Sequence, residues 1–213
     1  LAVLIFLAAL LLFAEALAKN KPRLARVIDP IVSTDWLEKN LGNKNIVILD
    51  IRSPEDFGVG HIPGSLNEPF VTGFTPSTGP TSKWIVGGAG GLWLEVPKAD
   101  DLFKTIGDLG ITKDSQVVIV TASHPDPKAE PPFYGLANAT RVAFTLVYAG
   151  VKNVAILDGG YPKWAAEGRQ KETQTKGVPA PQAIPFKGSI NKGLLASREY
   201  TKGQIQKAGL LDA

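Results

Sequence analysis

The 213-residue chain has no cysteine and only two histidines, His61 and His124. Without cysteine there is no disulfide, no thiolate metal site and no lipid anchor on a thiol. Two imidazoles cannot build a multi-histidine metal centre. Charge of one sign is also missing in bulk. The 23 basic residues are scattered among 20 acidic ones, giving a net charge of +3 and no run of five like charges. This pattern argues against a nucleic-acid-binding surface and for a mildly basic one. What the chain does have is apolar mass. Apolar residues make up 44%, enough to supply a core for one α/β domain with additional parts.

The N-terminus lacks a full membrane span. "LAVLIFLAALLLFAEALAKN" is apolar from Leu1 to Ala14, shorter than the ~20 residues a spanning helix needs. The small residues of Ala16–Leu17–Ala18 then match the spacing a signal peptidase accepts. Residues 1–18 are therefore expected to be a secretory signal cleaved before Lys19, with a periplasmic or secreted product. Membrane attachment would require the signal to stay uncleaved. The starting Met and the basic flank are absent, so the sequence is expected to begin a few residues late.

Beyond the signal, residues 19–30 read as a linker. "VSTDWLEKNLG" reads as a short helix with Ser33 or Thr34 as its cap. "NIVILDIR", "QVVIV" and "NVAILDGG" are continuous apolar runs, as strands covered on both faces require. After the first of them, Ser53, Pro54 and Asp56 form a helix-start signature. A helix is expected from Lys98 to Leu109. Another lies in "GLANATRVAFTLVYAG", with Leu136, Ala139, Val142, Ala143, Leu146 and Val147 on one stripe. "YPKWAAEG" closes the unit. Residues 71–97 carry six glycines and three prolines and read as a long irregular loop. Strands alternating with helices predict an α/β fold: a parallel sheet with helices on both faces. Residues 170–186 read as a second linker. Near the C-terminus "LLASREYTKGQIQKAGLLDA" echoes the order of "VSTDWLEKNLGNKNIVILDIR", the pattern expected of a tandem chain cut short.

Two further stretches point to a family. "LDIRSPEDFGVGHIPGSLNEPF" and "VAILDGGYPKW" resemble the two signatures of the rhodanese-like domain, in order and at the right separation. The resemblance covers about residues 30–168. The helix at the front, the long loop and the restart after residue 187 resemble the N-terminal half of a tandem thiosulfate or 3-mercaptopyruvate sulfurtransferase. This implies a division into signal (1–18), linker (19–30), cysteine-free rhodanese-like domain (31–169), linker (170–186) and the start of a second rhodanese-like domain (187–213). The family reaction moves sulfane sulfur through a persulfide on a cysteine, usually in the C-terminal domain. The position where that cysteine would stand, after "VVIV", holds Thr121 and Ala122. A threonine hydroxyl cannot replace a thiolate. The family loop also cradles the sulfur with backbone N–H groups, and here it carries Pro125, Pro127, Pro131 and Pro132, each without one.

The resemblance thus implies no catalytic, cofactor-binding or metal-binding residue in this chain. Its implied partners are a C-terminal rhodanese domain and a small sulfur-containing anion. The rival is a binding module, catalytically dead in either half, that recognises a partner protein or an anion. Individual residues follow the same reading. Asp50 and Arg52 are expected to tie the loop after their strand by ion pairs and hydrogen bonds. His61 is expected to fix its turn, and Asp158 to accept backbone bonds. Gly159 and Gly160 are expected to adopt conformations a Cβ would obstruct. Arg141 is read as a surface residue near the loop. Ser123 and His124, adjacent in sequence, lack the separate supports a hydrolase pair needs. Trp84 and Trp93 are left open between interface patch and core cover.

Overall fold

The structure is a computed structural model. It describes residues 26–71, 73–75, 79–87, 94–122, 135–173 and 182–205. In chain order the elements are β1 (Ile31–Val32), α1 (Thr34–Lys39), β2 (Ile46–Asp50), α2 (Pro54–Val59), β3 (Leu66–Asn67), β4 (Gly73–Thr75) and β5 (Gly79–Thr81). They continue with α3 (Ala99–Asp108), β6 (Gln116–Val120), α4 (Gly135–Tyr148), β7 (Asn153–Leu157), α5 (Gly160–Ala166) and α6 (Arg198–Gln204).

Five strands form one sheet in the order β1-β7-β6-β2-β3, with every neighbouring pair parallel. The continuous apolar runs explain themselves here, because alternate side chains enter two separate cores. Leu49, Val117, Ile119 and Val154 join one cluster with Leu102 and Ile106 of α3 and with Val142 and Leu146 of α4. Ile48, Val118, Val120, Ala155 and Leu157 join the other with Leu37 of α1 and Trp164 of α5. The sheet is thus covered on both sides.

Local chemistry sets the helix ends. Ser33 caps α1 by accepting from the Trp36 amide, and Ser53 caps α2 by accepting from the Asp56 amide. Gly110 follows the end of α3 and Gly150 the end of α4, with φ of +66° and +102°, values that favour glycine.

Two expectations need correction, and one open alternative closes. The 71–97 stretch is not wholly irregular, since β4 and β5 pair as a short antiparallel hairpin and Val86 bridges Glu95. Leu136 is not on the buried stripe of α4; it is 61% exposed, and Thr145 is buried instead. The helix spans Gly135–Tyr148, and its buried residues are Gly135, Ala139, Val142, Thr145 and Leu146. Trp84 is fully buried and donates its Nε1–H to the Glu68 carbonyl at 3.2 Å, which makes it core rather than interface. Trp93 lies outside the described residues.

After the last strand, residues 182–191 run back as a strap across α3 and α4. The Ile184 amide donates to the Gly107 carbonyl, and the Ser189 and Asn191 amides donate to the Ala149 and Tyr148 carbonyls. Phe186 is buried in the first core cluster. The strap therefore passes through the boundary expected at residue 187. The residues of α6 are almost all exposed.

Candidate functional site

The chain order of the sheet marks where a site belongs. From β2 the chain moves outward to β3, then returns to the other side of β2 as β6 and continues to β7. In open parallel sheets, ligands bind beyond the carboxyl ends of the strands where the order reverses. Those ends here are Asp50 and Val120, paired in register. Ile51 and Arg52 follow one, and Thr121 and Ala122 follow the other.

On the β2 side the chemistry is inward. Asp50 is fully buried and Arg52 nearly so. Asp50 Oδ1 accepts from the Arg52 amide and from its Nε, each at 3.0 Å, and Oδ2 accepts from Nη2 at 2.6 Å. Nη2 also donates to the Gly60 carbonyl at 2.8 Å, and the guanidinium lies 3.8 Å over the Tyr161 ring. Burial pushes the Asp50 carboxyl above its ordinary range, and the Arg52 fork opposes that. Arg52 is thus spent on the fold. It locks the α2 turn to β2 and presents little to a ligand.

His61 behaves the same way. Its ring stacks on Phe57 at 3.8 Å, its Nδ1 pairs with the Phe57 carbonyl at 2.9 Å, and its Nε2 lies 3.7 Å from the Glu172 carboxylate. The backbones of His61 and Glu172 exchange two hydrogen bonds of 2.9 Å. The histidine therefore pins the end of the domain to its own turn.

On the β6 side Thr121 stands at the strand-to-loop junction. It is 6% exposed, and its Oγ1 donates to the Gly135 carbonyl at 3.1 Å. Its carbonyl accepts from the Tyr161 amide at 3.0 Å. Gly160 has φ of +57°, and a Cβ there would sit 2.1 Å from the Thr121 carbonyl oxygen. A Cβ on Gly135 would sit 1.8 Å from the Ala122 carbonyl oxygen. The junction is closed by backbone on two sides, and the threonine hydroxyl is used within it. Ser123, His124 and the four prolines of the loop lie outside the described residues.

The remaining candidates are dispersed. Asp158 is expected to accept backbone bonds; among the described residues its carboxylate instead takes the Lys163 ammonium at 2.5 Å, at an exposed site. Lys163 is five residues on and its side chain folds over Gly159, a contact no spacing rule flagged. Arg141 donates from Nη2 to the Leu94 carbonyl. Its Nε is buried without a partner among the described residues, and burial lowers its guanidinium pKa. Leu94 itself has φ of +63°, unusual for a residue with a side chain.

Sequence reading also missed Arg169. It donates from Nε to Glu167 at 2.6 Å and from its other nitrogens to Glu38 and Asp35. Glu167 accepts in turn from the Thr34 hydroxyl at 2.6 Å. This network joins α1 to the end of α5.

The sequence pattern of the Rhodanese-like domain matches residues 33–167, a span that contains every strand of the five-stranded sheet except β1. The chain belongs to the rhodanese-like domain family. A putative thiosulfate sulfurtransferase of Synechococcus elongatus is 26% identical over 182 residues, 85% of this chain and 49% of its own length. Thiosulfate/3-mercaptopyruvate sulfurtransferase 2 of Arabidopsis thaliana is 30% identical over 154 residues, 68% of this chain and 38% of its own length. The chain thus spans half or less of the length of these relatives. Among solved structures, the 3-mercaptopyruvate sulfotransferase SseA of Escherichia coli superposes with a TM-score of 0.59 over 84% of this chain, at 17% identity. That likeness supports the rhodanese fold. In this rhodanese-like domain the junction after β6 carries a buried threonine.

Proposed function

We propose that this chain is the non-catalytic N-terminal rhodanese domain of an exported tandem sulfurtransferase. Such a protein moves sulfane sulfur from thiosulfate or 3-mercaptopyruvate to a thiophilic acceptor, and its cysteine lies in a C-terminal rhodanese domain. One observation carries the reading. The strand-to-loop junction holds Thr121, whose hydroxyl is buried and donates to the Gly135 carbonyl, and no cysteine exists anywhere in the sequence. Persulfide transfer requires a thiolate that attacks sulfur and then carries it. Support for the tandem arrangement comes from relatives named as sulfurtransferases, of which the match covers 49% and 38% of the length. The echo of the first helix in α6, with Ser197 capping as Ser33 does, adds to it.

The test is the gene read past Ala213. A second rhodanese-like pattern with cysteine at its strand-to-loop junction is expected, and replacing that cysteine by serine should abolish thiosulfate:cyanide transfer by the whole protein. A second half without that cysteine would favour a binding module with no sulfur chemistry. Export is tested separately: the mature N-terminus should be Lys19, and a product that retains residues 1–18 would be an anchored protein.

A further inference from the structure

A groove of about 550 Å³ opens at the amino ends of β6 and β7, the end of the sheet opposite Asp50 and Thr121. Its rim carries Lys113, Lys152 and Lys187, and no carboxylate lines it. All three lysines are exposed. Lys113 has Asp114 at 3.9 Å; no acidic side chain among the described residues is within ion-pair distance of the other two. The floor is apolar, formed by Val147, Val151 and Ile190.

The strap builds half of this groove. Gly188 lets it close on α4, since a Cβ there would lie 2.1 Å from the Phe186 ring and 2.4 Å from the Ala149 carbonyl oxygen. Gly150, at φ +102°, passes directly beneath Ser189. Lys187 and Ile190 reach the groove only because the strap is docked by the Ser189 and Asn191 amides.

We propose that this groove binds an acidic peptide segment of a partner protein, one that carries a hydrophobic side chain between carboxylates. The apolar floor accepts the side chain, and the three ammonium groups face the carboxylates around it. Lysines suit such a ligand. They are flexible point charges and do not select the fixed geometry that an arginine fork imposes. A volume of this size lies within the range of ligand-binding clefts. Because the strap supplies one wall, binding also holds the strap in place.

The experiment titrates the chain into the peptide Glu-Asp-Leu-Glu-Asp-Leu-NH2 carrying an N-terminal fluorescein and follows anisotropy. Saturable binding is expected, weakening several-fold between about 50 and about 300 mM salt as screening grows. The triple variant Lys113→Gln/Lys152→Gln/Lys187→Gln should lose at least about tenfold in affinity with an unchanged melting temperature. Should the triple variant fold poorly, the double Lys152→Gln/Lys187→Gln gives the same reading. Gly188→Val, which undocks the strap, should lose binding to a similar degree. The control Lys39→Gln/Lys44→Gln/Lys98→Gln alters exposed lysines elsewhere and should bind as the parent does. Three results would overturn the proposal: equal loss in the control variant, equal binding by the Gln/Asn version of the peptide, or tighter binding of single-stranded RNA than of the acidic peptide.

Discussion

Arg52 and Thr121 follow the carboxyl ends of β2 and β6, and the side chains of both are bonded inward. Arg52 makes a forked pair with buried Asp50 and also holds the Gly60 carbonyl. Removing it leaves a carboxylate buried without its partner. Arg52→Ala should therefore lower stability by about 3–5 kcal/mol, read as a fall in the denaturant midpoint; a change within error would mean the pair contributes nothing. Thr121→Cys places a thiol at the junction. The neighbouring carbonyls of Gly135 and Ala122 stay in place, and the prolines of the following loop still lack N–H groups. No persulfide turnover is expected from that variant in a thiocyanate assay. Robust turnover would show that the loop can cradle the sulfur after all. The roles of Asp50 and Arg52 were legible in sequence, because "LDIR" at a strand end puts both where they meet. The partner of Asp158 was not, because Lys163 reaches it from the helix that follows.

At the scale of elements, the three long strands and the capped helices were plain in the sequence. Continuous apolar runs admit few other readings when Ser, Pro and Gly punctuate them. The edge strands β1 and β3 have two residues each, too short for any periodicity. The β4–β5 hairpin hides among glycines and prolines for the same reason. Residues 182–186 of the strap read as linker, and 187–191 as the start of a second unit, because their polar composition hides the buried Phe186 and the close approach of Ile184 to Gly107. A Cβ on Gly107 would lie 2.3 Å from the Ile184 carbonyl oxygen. Amide hydrogen exchange should report this division. Slow exchange is expected at Ile184, Ser189 and Asn191, whose amides are bonded to the domain, with fast exchange through exposed α6. Uniformly fast exchange from 182 to 205 would mean that the strap is not docked in solution.

For the molecule as a whole, the α1–α5 junction sets an electrostatic signature. The Thr34 hydroxyl and Arg169 lower the Glu167 pKa, and Arg169 lowers that of Asp35. Glu167 and Asp35 in turn raise the pKa of Arg169. Carboxylates held below their unfolded values contribute stability above the ordinary carboxylate range and lose it as pH falls through their folded values. Arg169→Gln should thus lower the melting temperature at neutral pH, and the gap to the parent should narrow in acid. High salt should shrink it too, since the partners are exposed. A gap independent of pH would assign Arg169 a packing role on Trp164, whose ring centroid is 5.5 Å away. The sequence placed this region in the closing helix but could not join residues separated by more than 130 positions.

The proposal that this domain transfers no sulfur on its own is tested by thiocyanate formation by the purified chain supplied with thiosulfate and cyanide. The buried, internally bonded Thr121 hydroxyl and the absence of cysteine predict a rate equal to that of the heat-treated protein. A rate that rises with protein concentration and saturates with thiosulfate would mean that the domain transfers sulfur without cysteine.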